Sequence, residues 1–194
     1  MLRVLKLGGS LFGKDELPGW LEALSQARGQ VVVVPGGGPF ADAVRAAQAR
    51  LSFPDATAHH MALLAMEQFG LALCGLERGL RPAASARAIS DAISHGYTPV
   101  WLPTAMSLHA PGIPEDWSVT SDSLAAWLAS VLGADALGLV KHGPQGIRGF
   151  NAATDEHLMD AAFPVFAAAY GRPISLLGHD DPRALMAWLE SAST

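Results

Sequence analysis

Two glycine-rich segments, each following a short apolar run, carry the clearest chemical signal in the sequence. Lys6-Leu7-Gly8-Gly9-Ser10 ends the apolar run Leu2–Leu7, and Gly36-Gly37-Gly38 follows Val31–Val34. Glycine permits positive φ and lets backbone N–H groups approach a ligand, and such groups form an anion-binding nest. Lys6 adds a point charge suited to a phosphate oxygen. The two segments therefore indicate phosphate binding at two strand-to-helix turns; ordinary tight turns with a solvated lysine are the alternative.

Two further charged residues stand where they can join this chemistry. Asp122 falls in the first turn of a predicted helix that begins at Thr120 or Ser121, and Lys141 ends the predicted strand Ala136–Lys141. A carboxylate can orient two lysines, and two lysines can clamp a transferring phosphoryl group, whose stabilisation is mostly electrostatic. The alternatives are an acidic residue that only favours the helix dipole and a lysine at a solvated strand end.

The histidines do not form a metal site by spacing. His59 and His60 are adjacent at the start of a helical pattern, so they project on different faces, and the chain has neither His-x-x-x-His nor paired cysteines. We predict no metal ligands in the chain and a substrate contact for His60, with a surface or capping histidine as the alternative. Trp117, in a predicted loop, is a candidate stacking surface.

Strand and helix patterns alternate along the chain. The predicted strands include Leu2–Leu7, Val31–Val34, Thr98–Leu102, Ala136–Lys141 and Ile174–Leu177. The predicted helices cover 15–28, 40–51, 58–80, 86–95, 120–132 and 155–170, the last kinked at Pro164, with a final helix capped by Asp181 and opened by Pro182. Residues 104–117 are predicted to form a loop, and 143–149 a glycine-rich turn. This alternation predicts an α/β fold, a three-layer αβα sandwich with a mainly parallel open sheet. Ligands of such sheets bind at the carboxyl ends of the strands, where both glycine segments lie.

Composition narrows the class of protein. The chain has 194 residues, half of them hydrophobic and 16% charged, which fits one domain over residues 1–194. The net charge of −5 argues against a nucleic-acid partner. No apolar stretch approaches the roughly 20 residues that span a bilayer. A single cysteine, Cys74, excludes a disulfide within the chain, and no signal-peptide pattern opens it, so we expect a cytoplasmic protein without membrane partners.

Three segments, in order, resemble motifs of the amino acid kinase superfamily: Lys6–Ser10, Val31–Gly38 and Thr120–Ala126. The resemblance extends to about residue 150. It implies an αβα sandwich, ATP with Mg²⁺, a small carboxylate- or phosphate-bearing acceptor, and a homo-oligomer. It also implies roles for single residues: Lys6, Gly8, Gly9, Ser10 and Lys141 at the ATP phosphates, Gly143 and Gly146 at the adenine, Gly36, Gly37, Gly38 and Ser121 at the acceptor, and Asp122 as the organiser of the two lysines.

The sequence departs from that family after Lys141. Lys141-His142-Gly143-Pro144-Gln145-Gly146 stands where the family usually has Thr-Asp-x-x-Gly. A narrower resemblance, over Ala58–Gly70, is to the archaeal-type branch that phosphorylates aminomethylfuranyl-methyl phosphate in methanofuran synthesis, and it implies a role in one-carbon metabolism. Three hypotheses stay open: a kinase, a non-catalytic nucleotide- or oxyanion-binding or storage member, and a structural subunit that acts through partners.

Overall fold

One β-sheet forms the middle of the fold. The computed structural model describes residues 1–143 and 146–191, with residues 152, 153 and 191 described by their backbone alone. Within these ranges the sheet has seven strands: β1 Arg3–Leu7, β2 Val31–Pro35, β3 Leu80–Ala83, β4 Thr98–Trp101, β5 Ala136–Lys141, β6 Ile147–Gly149 and β7 Ile174–Gly178. Their order is β3-β4-β2-β1-β5-β7-β6, and all neighbours are parallel except β6 and β7. The predicted α/β fold is confirmed.

Helices cover both faces of this sheet. They are α1 Leu17–Gln26, α2 Gly38–Leu51, α3 Asp55–Leu76, α4 Ala86–Ser94, α5 Thr104–Ser107, α6 Ser121–Leu132, α7 Ala152–Asp155, α8 Phe163–Tyr170 and α9 Ala184–Ser191. Val4 and Val32 pack into an apolar cluster with α6 and α8, whereas Leu5 and Val33 pack into another with α1 and α9. Alternate residues of one strand therefore serve two cores, which gives three layers. No helix in the described ranges is both long and apolar enough to cross a bilayer.

The carboxyl ends of the central parallel strands lie at the same end of the sheet, and the glycine turns follow these strand ends. β1 and β2 are buried along their whole length, which explains their uninterrupted apolar runs. β1 lies between β2 and β5, with Lys6 in register with both Val34 and Leu139. The chain therefore continues from β1 to β2 on one side of β1 and later forms β5 on the other side. A crevice forms at the carboxyl ends of the strands where the strand order reverses in this way.

Several boundaries in the first half differ from the prediction. α1 is shorter than the predicted helix 15–28, and α3 begins at Asp55 and ends at Leu76 rather than covering 58–80. The stretch that follows α3 is β3, an edge strand with an exposed middle that contains Pro82. Proline is tolerated on an edge, but its presence hid the strand from the pattern. Within the predicted loop 104–117, α5 adds one turn of helix.

The second half contains two wrong helix predictions. The stretch Asp155–Tyr170 is not one kinked helix, because α8 begins at Phe163 and Pro164 sits in its first turn, where a missing N–H costs nothing. The final helix begins at Ala184, so Asp181 and Pro182 precede it as a turn instead of capping it. In the predicted turn 143–149, residues 147–149 form β6, while Pro144 and Gln145 lie outside the described residues. The assignment of residues 1–194 to one domain stays a prediction.

Candidate functional site

The two glycine turns lie against each other. The N–H of Gly36 donates to the carbonyl oxygen of Leu7 at 2.9 Å, which ties the end of β2 to the end of β1. A Cβ atom on Gly9 would stand 2.3 Å from the backbone nitrogen of Gly38, and one on Gly36 would stand 2.4 Å from the nitrogen of Gly9. Real Cβ atoms do not approach a backbone that closely, so a side chain at either position would push the turns apart. These glycines are therefore needed for the contact between the turns.

A buried carboxylate joins the two predicted lysines. Asp122 Oδ1 lies 3.0 Å from Lys6 Nζ, and Asp122 Oδ2 accepts a hydrogen bond from Lys141 Nζ at 2.6 Å. The side chains are 8%, 6% and 13% exposed for Lys6, Asp122 and Lys141. Lys141 also donates to the carbonyl oxygen of Leu158 at 2.6 Å. The structure thus brings together the three residues predicted as catalytic, from β1, α6 and β5.

Burial and charge set the protonation of this cluster. Burial raises the pKa of Asp122, but the charges of Lys6 and Lys141 and their hydrogen bonds outweigh it, and the pKa lies below its ordinary value. Burial and repulsion by Lys6 lower the pKa of Lys141 to about 8, although Asp122 raises it. Two ammonium groups with one carboxylate leave a net positive charge, which suits a bound phosphate.

Asp160 holds the beginning of α6 in place. Thr120 occupies the predicted N-cap position, but its side chain makes no capping hydrogen bond. Asp160 Oδ2 instead accepts from the N–H groups of Thr120 and Ser123 at 2.9 and 3.0 Å and from the Thr120 hydroxyl, while Oδ1 accepts from the Ser123 hydroxyl. A carboxylate is stabilising at a helix N-terminus. Because Asp122 lies in this first turn, Asp160 positions it.

Sequence reasoning missed Asp160, because the predicted helix 155–170 contained it. The available signal was Pro164, which is favoured at the first position of a helix and therefore places Asp160 in the segment before α8. Its partner α6 lies about 40 residues earlier in the chain, so no local pattern connects the two.

A cavity of about 460 Å³ adjoins the glycine turns. Its walls come from the turns, α2, α3, the start of α6 and the segment before it: Gly9, Ser10, Phe12, Gly37, Gly38, Pro39, Ala41, Asp42, Arg45, His59, Ala62, Leu63, Met66, Trp117, Val119, Thr120, Ser121 and Leu124. The cavity therefore joins backbone and hydroxyl groups suited to an anion with a largely apolar wall, as small-molecule sites do. Gly8 connects it to the ionic cluster, since a Cβ there would lie 3.2 Å from Ser10 Oγ and 3.7 Å from Lys6 Nζ.

Three of the five residues predicted to bind the acceptor line this cavity, and two do not. Gly37, Gly38 and Ser121 line it, whereas Gly36 does not and packs against Gly9 instead. His60 is exposed and does not line the cavity, whereas its neighbour His59 does, with 3% of its surface exposed. The two histidines project differently from α3, as expected, but the buried one faces the cavity.

Trp117 forms a fixed wall of the cavity. Its indole N–H donates to Gln48 Oε1 at 2.6 Å, and the guanidinium of Arg45 lies 4.3 Å from the ring centroid. Arg45 in turn pairs with Asp42 at 3.1 Å. The Trp117 ring therefore lines the cavity, and residues of α2 hold it in place. Its role as a stacking surface for a ligand stays a prediction.

In the segment after β5, which is predicted to border the adenine, the described residues are largely exposed. Gly143 and Gly146 have φ of +104° and +62°, conformations that favour glycine, and they flank the two residues outside the described ranges. His142 Nδ1 and His179 Nε2 are 3.0 Å apart at the ends of β5 and β7. The strand β6 is exposed along its length. The predicted roles of Gly143 and Gly146 at an adenine stay predictions.

The residues present fit the phosphate groups of a ligand. Two ammonium groups and the glycine turns supply donors for phosphate oxygens. Within residues 1–143 and 146–191 no group of three or more His, Cys, Asp or Glu side chains can hold a metal ion, and Asp122 is held by lysines. Magnesium commonly binds through phosphate oxygens and water, so it would arrive with the nucleotide.

Comparisons of the sequence and of the structure with known proteins all find kinases. A model described as the amino acid kinase family matches residues 1–145. A [5-(aminomethyl)furan-3-yl]methyl phosphate kinase from Methanocaldococcus jannaschii is 24% identical over 133 residues, covering 68% of this chain and 61% of the relative, so the chain spans about three fifths of that protein. The crystal structure of uridylate kinase from Archaeoglobus fulgidus matches with a TM-score of 0.73 at 15% identity, over 98% of this chain and 96% of the other. The UMP kinase of Ureaplasma parvum matches with a TM-score of 0.69 at 18% identity, over 97% and 95%.

Proposed function

Since the chain belongs to the amino acid kinase family, we propose that it transfers the γ-phosphoryl group of ATP to a small anionic acceptor. The observation that carries this proposal is the buried cluster of Lys6, Asp122 and Lys141 beside two mutually packed glycine turns. Such a cluster supplies what phosphoryl transfer needs, positive charge fixed where negative charge develops.

Each part of the site has a role in this proposal. Lys6, Lys141 and the turn Gly8–Ser10 bind the ATP phosphates, and Asp122 fixes the two ammonium groups. Gly37, Gly38 and Ser121 face the acceptor, whose anionic oxygen forms the new bond to the γ-phosphorus as the bond to the β–γ bridging oxygen breaks and ADP leaves. An acceptor that is already an anion has no proton to give up, so the reaction needs no general base. Mg²⁺, held by the ATP phosphates, would supply further neutralisation of their charge.

The acceptor in this proposal is a phosphate monoester, and the product is a diphosphate. The relative from Methanocaldococcus jannaschii carries a furan-methyl phosphate in its name. The cavity of about 460 Å³, with apolar walls from Phe12, Leu63 and Met66, suits a small ring. We therefore assign a furan-methyl phosphate of one-carbon cofactor synthesis as the acceptor. A cytoplasmic location, where ATP is available, belongs to the same proposal.

A homo-oligomer is also part of the proposal. Helix α3 leaves Leu64, Leu71 and Leu76 exposed by 41%, 51% and 66%. Exposed leucines along one long helix support an interface between copies of the chain. Size-exclusion chromatography with light scattering tests it: a mass of two or more chains is expected, and a mass of about 20.3 kDa contradicts it.

The proposed reaction is tested by ³¹P NMR with Mg-ATP and [5-(aminomethyl)furan-3-yl]methyl phosphate. The wild type is expected to form ADP together with a new diphosphate signal. Lys6→Ala is expected to lower the rate by about 100-fold or more, as loss of one preorganised electrostatic group does. Lys14→Ala, a change of an exposed lysine outside the cluster, is the matched control and should retain the wild-type rate. Equal rates for the wild type and Lys6→Ala would contradict the proposal.

A second candidate is a non-catalytic nucleotide- or oxyanion-binding member of the family. The departure of residues 141–146 from the family pattern and the exposed strand β6 favour it. The NMR experiment separates the two candidates when combined with calorimetry of Mg-ATP. Binding of ATP without a product signal from any phosphate or carboxylate acceptor supports the non-catalytic function.

A further inference from the structure

His59 is buried, and among the described residues one of its two ring nitrogens has no hydrogen-bond partner. It lies in the second turn of α3, lines the 460 Å³ cavity and is 3% exposed. Within the described ranges, its Nε2 atom has no hydrogen-bond partner. Buried polar atoms are nearly always paired in native proteins, because an unpaired one has lost its water and gained nothing in return. A ligand in this cavity is the natural partner for Nε2.

The surroundings of His59 restrict the chemistry of that ligand group. Burial lowers the pKa of His59 and outweighs the backbone of Asp116 and the carboxylate of Glu115, which raise it, so the ring is neutral at neutral pH. A neutral imidazole offers one N–H and one lone pair. The charged groups near His59 are mostly acidic: Glu115 and Asp116 act on its ring, and Asp42 lies in the cavity wall, where it is paired with Arg45. Next to Glu115 and Asp116, a hydroxyl or an amine suits Nε2 better than a second anionic group does.

We propose that His59 determines acceptor specificity by hydrogen-bonding a hydroxyl or amino substituent on the body of a phosphate-bearing acceptor. The inference rests on the proposed function and adds to it the class of acceptor: one anionic group at Gly37 and Gly38, an apolar body, and one uncharged or cationic hydrogen-bonding group. A site built around such a hydrogen bond rejects an isosteric acceptor that lacks the group, because the protein atom is then left buried and unpaired.

The test compares three furan-3-ylmethyl phosphates that differ only at ring position 5, which carries an aminomethyl, a hydroxymethyl or an ethyl group. Rates are measured with the wild type, His59→Phe, His59→Gln and the matched control His60→Gln, whose side chain is exposed. The wild type should prefer the aminomethyl or hydroxymethyl acceptor over the ethyl acceptor by about tenfold or more in kcat/KM.

His59→Phe should lose this preference through a higher KM for the polar acceptors, while KM for Mg-ATP, which His59 does not contact in this proposal, stays at its wild-type value. His59→Gln keeps hydrogen-bonding capacity and should retain part of the preference, and His60→Gln should match the wild type. An unchanged preference in His59→Phe, or none in the wild type, overturns the inference while phosphoryl transfer itself stands. Failure of all three acceptors with every variant overturns the proposed acceptor class and this inference with it.

Discussion

Replacement of Asp122 by asparagine perturbs the centre of the site with one atom-for-atom change. The carboxylate is 6% exposed and lies 3.0 and 2.6 Å from two ammonium groups that are themselves 8% and 13% exposed. At an effective dielectric constant of 20, one such contact is worth roughly 5 kcal/mol before desolvation. Removing one partner of a buried ion pair typically costs about 3–5 kcal/mol, since the other charge stays buried and unpaired.

We therefore expect Asp122→Asn to lower the free energy of unfolding by about 3–5 kcal/mol, and the melting temperature by roughly 10 °C. Equilibrium denaturation in urea measures the first quantity. Asp91→Asn is the matched control, because Asp91 pairs with Arg87 at 3.8 Å on the surface, where both side chains are mostly exposed. The control should unfold close to the wild type.

The pH dependence of this difference gives an independent check. Without the carboxylate, the pKa of Lys141 should fall below its value of about 8, because Asp122 is a group that raises it. Raising the pH from 7 to 9 then removes the charge of Lys141 in both proteins, and the gap in stability between them should narrow. A loss no larger than that of Asp91→Asn, or a gap that does not change with pH, would show that Asp122 does not stabilise the two buried ammonium groups.

Three further predictions concern the same edge of the sheet. Phosphoryl transfer should decline above pH about 8, as Lys141 loses its proton. Because the pKa of Lys141 in the folded protein lies below its ordinary value of 10.5, the unfolded chain binds more protons between about pH 8 and 10.5, and the contribution of this lysine to the free energy of unfolding rises there. A pH–rate profile measured beside denaturation curves should therefore show that activity is lost without unfolding. Gly9→Ala should destabilise the protein by roughly 1–3 kcal/mol and weaken Mg-ATP binding in calorimetry, since its Cβ would stand 2.3 Å from Gly38 N; normal binding would show that the turns can separate freely. Asp160→Asn should cost about 2 kcal/mol in urea denaturation and lower kcat more than it raises the KM for ATP, because α6 loses the charged cap that positions Asp122; an unchanged kcat would leave Asp160 a stability residue only.

The central strands and the ionic cluster were predictable because their signals are local. β1 and β2 are buried on both faces, so their runs are continuous, and each ends at glycines that the contact between the turns requires. Asp122 stands in the first turn of a strongly apolar helix, and Lys141 ends a strand. The parallel topology then places these ends together.

Features that depend on distant partners were not predictable. Asp160 caps a helix about 40 residues away, and nothing in its own neighbourhood marks that role. Helix α3 is apolar around most of its circumference, so periodicity does not show which of His59 and His60 faces the cavity. The edge strands β3 and β6 are short and partly or fully exposed, and they lack the apolar pattern by which buried strands are recognised.

A crystal structure with Mg²⁺ and a non-hydrolysable ATP analogue would show whether Lys6 and Lys141 bind the phosphates of ATP. We expect Lys6 Nζ and Lys141 Nζ each to lie about 2.7–2.9 Å from phosphate oxygens of the analogue, with the terminal phosphate beside the paired glycine turns. A triphosphate bound elsewhere on the chain, with no phosphate oxygen in contact with either lysine, would contradict the proposed site.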